Sequence, residues 1–176
     1  MLSPKLETER LVLRRYDESD IDAIYEMITD ERVAKYIKFP EITKDQELEK
    51  IKTWIKEADE SKYEKWVIER KADGVVVGNI DVNTVVKKHN YCNVGYIIRY
   101  AYWGNGYAAE ALKVVSDYLL NNRGYYLVEC SCNELNTQSS KVMLKAGFKK
   151  DGYVANRRLN KDGTYSGIEY YSKSKN

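Results

Sequence analysis

Apolar and polar residues alternate along Arg10-Leu11-Val12-Leu13-Arg14-Arg15, the two-residue period of a strand. Ser19 then stands three residues before Asp22, a capping-box-like start for a helix carrying Ile21, Ile24, Tyr25 and Ile28. Thr43 with Gln46 repeats that signal. Leu48, Ile51, Ile55 and Ala58 follow on one helical face, with Trp54 at its edge. Strand chemistry returns at Trp66–Arg70, and Asp73-Gly74 followed by Val75–Val82 predicts a hairpin. Asn93–Arg99 forms another strand that runs into a glycine-punctuated turn. A helix from about Tyr107 to Asn122 follows, with Ala111, Leu112, Val115 and Leu119 inward. Tyr125–Cys132 is β-rich. Thr137–Ala146 is helical and stops at Gly147, a residue suited to a left-handed cap. Strands around Asp151–Leu159 and Tyr165–Ser172 flank the turn Asn160-Lys161-Asp162-Gly163.

This order, β-α-α-β-β-β-α-β-α-β-β, predicts one α/β domain over residues 1–176, with helices on the faces of a mixed sheet. A 43% apolar fraction supports a buried core. No run approaches a membrane span, and the N-terminus from Met1 lacks an apolar signal core, so a cytoplasmic location is expected. Three cysteines, an odd number, fit reduced thiols better than a disulfide framework. A net charge of +2 argues against direct nucleic-acid binding. Residues 145–176 nevertheless carry eight Lys/Arg against three Asp/Glu, a surplus that suits either an anionic ligand or a solvated face.

The chemistry concentrates in Ile97-Ile98-Arg99-Tyr100-Ala101-Tyr102-Trp103-Gly104-Asn105-Gly106-Tyr107-Ala108-Ala109-Glu110-Ala111. Strand, two-glycine turn and helix N-terminus follow directly. Missing side chains let a ligand approach the backbone. The unpaired N–H groups of the first helical turn, at the positive end of the dipole, then suit a pyrophosphate. An ordinary turn whose glycines only supply positive φ would read alike. Gly104-x-Gly106-x-x-Ala109 also satisfies a loose dinucleotide fingerprint, with Glu129 about 20 residues on. That fingerprint normally opens a fold, whereas here only 44 residues follow Cys132.

Trp103–Ala111 resembles the coenzyme A pyrophosphate loop of the GCN5-related N-acetyltransferase (GNAT) superfamily, and within it the RimJ/RimL-like branch that acetylates N-termini of ribosomal proteins. Leu6–Arg14 is similar to that branch's opening strand and Val94-Gly95-Tyr96 to its fourth. Asn136-Thr137-Gln138-Ser139 with Lys145-Ala146-Gly147-Phe148 is similar to its Asn-x-x-Ser…Lys-x-Gly-Phe helix. The resemblance implies about seven strands, splayed beside Ile97–Arg99, and acetyl-CoA as co-substrate without a metal. It further implies that main-chain groups of Ile97, Ile98 and Arg99 meet the pantetheine arm. The amides of Gly104, Asn105, Gly106, Tyr107, Ala108 and Ala109 would hold the diphosphate. Asn136 would bond the pantetheine, and Ser139 would lie near the thioester sulfur.

Three positions depart from the family pattern: Ala101 replaces a Gln/Arg, Asn93 a candidate basic glutamate, and Met143 the tyrosine that protonates the thiol. A weak base favours an acceptor that is already neutral. An α-amine of pKa ~7.7–8.0 is appreciably so at pH 7, whereas a lysine amine of pKa ~10.4 must lose its proton at a cost of roughly 4.6 kcal/mol. The expected reaction is direct attack of a peptide or protein α-amine on the thioester, with Glu69 or Glu129 as substitute base. Tyr36, Phe39 and Trp54 form the expected apolar acceptor wall. Two alternatives stand: a polyamine, antibiotic or amino-acid acceptor, and a non-catalytic acyl-CoA-binding module. The oligomeric state is expected to be monomer or homodimer.

Other chemically interesting residues have plain readings. His89 follows Lys87-Lys88 at a loop tip. Cys130 and Cys132 share a strand face without a second histidine to complete a metal set. Glu110 suits the helix dipole. Tyr96, Tyr100, Tyr102, Trp103 and Tyr107 read as packing, with Tyr107 or Tyr153 available as an acid.

Overall fold

A computed structural model describes residues 3–37, 39, 41–58, 63–160 and 162–175; Met1, Leu2 and Lys161 of the predicted segments lie outside them. In chain order the elements are β1 (Leu6–Glu7), β2 (Leu11–Arg14), α1 (Ile21–Thr29), α2 (Lys44–Glu57), β3 (Lys65–Arg70) and β4 (Val75–Val86). There follow β5 (Tyr91–Ile98), α3 (Tyr107–Asn121), β6 (Leu127–Asn133), α4 (Thr137–Lys145), β7 (Lys149–Leu159) and β8 (Tyr165–Ser174). The strands make one sheet in the order β1-β2-β3-β4-β5-β6-β8-β7. The predicted mixed sheet is present, with the two-residue β1 as an eighth strand too short to show in the hydrophobic pattern.

Among the described strands, β5 and β6 are the parallel pair; the other neighbours run antiparallel. Their pairing covers only Tyr91–Asn93 against Leu127–Glu129. Beyond Asn93 the strands part, leaving the edge of Val94–Ile98 unpaired on that side. The predicted splay is therefore real, and it starts a few residues before Ile97.

Each sheet face carries its own core. On one, Leu112, Val115 and Leu119 of α3 and Met143 of α4 pack with Trp66, Ile80, Val94 and Val128. On the other, Ile24 and Met27 of α1 and Ile51 of α2 pack with Tyr16, Val67 and Val76. The Thr43–Gln46 capping box forms as read. The first box does not: Asp17 and Asp20 make it, opening a 3₁₀ turn ahead of α1, because the carboxylate of Asp17 already holds the Ser19 amide and hydroxyl. Ile55 is also corrected. The buried stripe of α2 runs through Glu47 and Ile51, with Trp54 beside it, and Ile55 stays exposed. Gly147 ends α4 at φ +91°, with Gly147 N–H donating to Leu144 O and Phe148 N–H to Met143 O. Among the described residues, no helix is long and apolar enough to cross a membrane.

Candidate active site

The unpaired edge of β5 leads into a turn whose shape its own side chains set. Trp103 Nε1 donates to Ile98 O at 2.7 Å, and Asn105 Nδ2 donates to Tyr102 O and Trp103 O, each at 3.1 Å. Gly104 and Gly106 adopt φ +79° and +80°, a conformation that costs a side-chain-bearing residue about 1–2 kcal/mol. A Cβ on Gly104 would meet nothing within 4 Å, so its surface is open to a ligand. The first helical bond of α3 runs from Glu110 N–H to Gly106 O at 3.1 Å. The amides of Tyr107, Ala108 and Ala109 come before it in the chain and lack intrahelical acceptors.

A clamp from the far edge of the sheet fixes this turn. The Glu110 carboxylate accepts from Thr8 Oγ1 at 2.5 Å, Arg10 N–H at 3.2 Å and Arg10 Nε at 2.8 Å. Arg10 Nη1 also donates to Asn105 O at 3.1 Å, and the guanidinium lies 4.8 Å from the Tyr107 ring centre. Burial works to raise the Glu110 pKa, but the Thr8 and Arg10 hydrogen bonds outweigh it and hold the carboxyl below its ordinary range. Glu110 therefore joins α3 to the β1–β2 turn rather than capping the helix. Arg10 Nη2 and Lys145 Nζ each lie 3.6 Å from where a Gly106 Cβ would stand, so two cations face the turn.

α4 closes the other side of the splay. The Asn136 side chain caps it, accepting from Ser139 N–H at 3.2 Å. Tyr96 OH donates across the opening to Ser139 O at 3.1 Å. Burial pushes the Tyr96 hydroxyl's pKa well up, so it stays protonated at neutral pH. The resulting cleft, of about 240 Å³, brings together Ile97, Ile98, Gly104, Gly106, Tyr107, Ala108, Ala109, Asn136 and Ser139, with Tyr36 on the wall.

The remaining sequence candidates lie elsewhere. Arg99 turns its side chain away, pairing with Glu26 at 2.5 Å and donating to Val76 O. Phe39 and Trp54 line a separate cavity under α1 and α2. Glu69 is engaged by Arg14 Nε at 2.7 Å and does not line the cleft. Glu129 accepts from Asn93 Nδ2 at 3.0 Å, at the last paired position before the splay. Met143 is buried in the core, so a tyrosine there would not face the cleft in this chain. His89 is an exposed residue of a 3₁₀ turn. Cys92, Cys130 and Cys132 are free and buried, and burial raises all three thiols, Cys92 to about 12 and Cys132 to about 11. Tyr153 is exposed on β7.

Sequence reading missed Arg10, Tyr96 and Lys145 as parts of the site. Arg10 and Glu110 stand 100 residues apart, with no local signal to couple them. Tyr96 reads as one more core aromatic of a β-rich run. Only the splay exposes its hydroxyl to Ser139.

Comparison with known proteins agrees with this geometry. The family described as Acetyltransferase (GNAT) domain matches residues 10–149. A curated relative, the Uncharacterized N-acetyltransferase YoaA of Bacillus subtilis, is 29% identical over 170 residues, 96% of each chain. The solved acetyltransferase (GNAT family) from Bacillus anthracis superposes with a TM-score of 0.84 at 22% identity, covering 97% of this chain and 98% of that one. RimL, a ribosomal L7/L12 alpha-N-protein acetyltransferase solved with coenzyme A, gives 0.84 at 15% identity, covering 99% and 98%.

Proposed function

The chain belongs to the GNAT acetyltransferase family and is an acetyl-CoA-dependent N-acetyltransferase, and we propose that its acceptor is the α-amine of a protein or peptide. The observation that carries the cofactor half of this reading is the turn at Gly104–Ala109. The open surface at Gly104, the first-turn amides without intrahelical acceptors, and the cations of Arg10 and Lys145 beside Gly106 form a cradle for a diphosphate. The unpaired edge of β5 at Ile97 and Ile98 lies open to an extended arm, whereas the main chain of Arg99, expected from sequence to join it, is engaged, its N–H with Val77 O and its carbonyl with Tyr102 N–H. Asn136 and Ser139 stand on the opposite wall. The residues fit acetyl-CoA, which supplies an activated thioester carbonyl when bound.

The chain's own contribution is binding, alignment and proton handling. Holding an amine against a carbonyl converts a bimolecular encounter into an intramolecular one, and a backbone N–H on β5 polarises that carbonyl. Tyr96, kept protonated by burial and lining the cleft beside Ser139, is the hydroxyl placed to hydrogen-bond the leaving sulfur. A thiol leaving group of pKa ~8.5 needs little such help. The α-amine is favoured because the family's usual basic position holds Asn93, whose amide cannot take a proton. RimL, a structural neighbour that is a ribosomal L7/L12 alpha-N-protein acetyltransferase, supports the same class. We place the reaction in the cytoplasm with no metal requirement.

Release of free thiol from acetyl-CoA over a panel of amines tests this reading. Peptides with free α-amines should be turned over at neutral pH ahead of polyamines, aminoglycosides and free amino acids. Acetyl-CoA binding without acceptor-dependent thiol release would instead identify a binding module.

A further inference from the structure

A second cavity, of about 200 Å³, borders the same residue, Ile97, beneath α1 and α2. Ile24, Met27, Phe39, Trp54 and Ile97 make its wall apolar; β4 supplies a polar floor of Asn79 and Asp81. Asn79 is only 8% exposed, yet among the described residues its Oδ1 has no hydrogen-bond partner. A buried acceptor left unpaired costs about 1–3 kcal/mol, so such an atom invites a donor from a ligand. Its own Nδ2 donates to Asp81 Oδ2 at 3.1 Å.

Asp81 is loosely held for a carboxylate whose side chain is only 14% exposed. Tyr16 OH reaches Oδ1 at 3.5 Å and Lys65 Nζ reaches Oδ2 at 3.4 Å, both at the long limit of a hydrogen bond. Across the cavity, α2 presents Glu47, itself paired with Lys50 at 3.2 Å, while α1 presents only apolar side chains. On β5, Asp81 faces Gly95 and Asn79 faces Ile97, so no charged side chain opposes either from that strand. Burial raises the Asp81 carboxyl above its ordinary range, against the opposing pull of Lys65 and Asn79. A carboxylate in that position binds a proton more readily than an exposed one.

We propose that this cavity receives the reacting end of the acceptor, a primary amine carried on an apolar group, with Asp81 as its base and Asn79 Oδ1 as acceptor for one N–H. The inference rests on the acceptor reading given above. An ammonium N–H breaks and an O–H forms on Asp81. The freed lone pair attacks the thioester carbonyl, forming C–N and breaking C–S. The second proton lost by nitrogen ends on the thiolate, giving an amide and a free thiol. Asp81 then returns its proton to solvent.

The test compares wild type, Asp81→Asn and Asn79→Leu on a short peptide with an apolar first residue and a free α-amine, with acetyl-CoA affinity measured by calorimetry. Asp81→Asn should leave acetyl-CoA affinity unchanged and lower kcat/KM at pH 7 about tenfold, the factor set by the neutral fraction of an amine of pKa ~8. That deficit should shrink as pH rises past the amine's own pKa of ~8, because the amine then needs no base. Asn79→Leu should raise KM for the peptide several-fold with little change in kcat. An Asp81→Asn enzyme of wild-type kcat/KM, or a deficit constant with pH, overturns the proposal. If Asp81→Asn loses its melting transition, Asn79→Leu decides, and an unchanged peptide KM overturns it. A wild type inert toward peptides but active on another amine defeats the acceptor reading instead. The same comparison is then read with that amine.

Discussion

The Tyr96 hydroxyl donates to the main-chain carbonyl of Ser139 at 3.1 Å, tying β5 to the first turn of α4 across the gap where β5 and β6 part. The bond needs both a splayed sheet and a helix that returns over the splay. It therefore marks the point where the fold becomes a site.

Tyr96→Phe should reduce kcat about tenfold while leaving KM for acetyl-CoA within a few-fold. The loss is small because a thiol of pKa ~8.5 is already a competent leaving group. Deleting the hydroxyl also leaves the Ser139 carbonyl without this donor, at a cost of about 1 kcal/mol of stability. Steady-state kinetics with a thermal melt checks both parts.

Gly104→Val and Gly106→Val should each weaken acetyl-CoA binding more than they weaken the fold. A β-branched residue resists φ near +80°, and the turn must give up about 1–2 kcal/mol to recover its shape. That corresponds to roughly 5–30-fold in dissociation constant. Calorimetry that returned the wild-type affinity would remove the diphosphate cradle from the account.

Glu110→Gln should be less stable than wild type near neutrality, and the difference should fade in acid. The folded carboxyl titrates below its ordinary value. Its contribution is thus fully present above the unfolded pKa of ~4.3 and is lost as pH falls from there through the lower folded pKa. Melting temperatures of both proteins from pH 7 downward should converge. Parallel curves would show that the Arg10 clamp contributes nothing to folding.

Met143→Tyr should fail to install an acid. The side chain is buried among core residues of α3 and β6, so the larger ring overpacks it at about 1–3 kcal/mol. A lower melting temperature with no gain in kcat is the expected result.

Much of this was legible in the chain, and the reasons are local. The Gly104–Ala109 turn, the Gly147 stop and the Thr43–Gln46 box each rest on residues within a few positions of one another, where backbone rules act directly. Pairings between distant segments were not legible. Arg10 meets Glu110 across the sheet, and Asn79 shares a cavity with Trp54 only because α2 packs over β4. Asp81 carries no signal in sequence, since with Asn79 it is one of two polar positions in a hairpin strand, Val75–Val82. Its partial burial follows from the two helices whose side chains share its cavity.

The central claim, an acetyltransferase whose acceptor is an α-amine, is tested most directly by pH–rate profiles on two substrates. One is a short peptide with a free α-amine; the other is the same peptide blocked at its N-terminus and carrying one lysine. At pH 7 the α-amine should be acetylated at least tenfold faster, because the ε-amine begins about 2.5 pKa units further from neutrality. The gap should narrow as pH rises toward the lysine value. Equal rates on both at pH 7, or a preference for the lysine, would contradict the account.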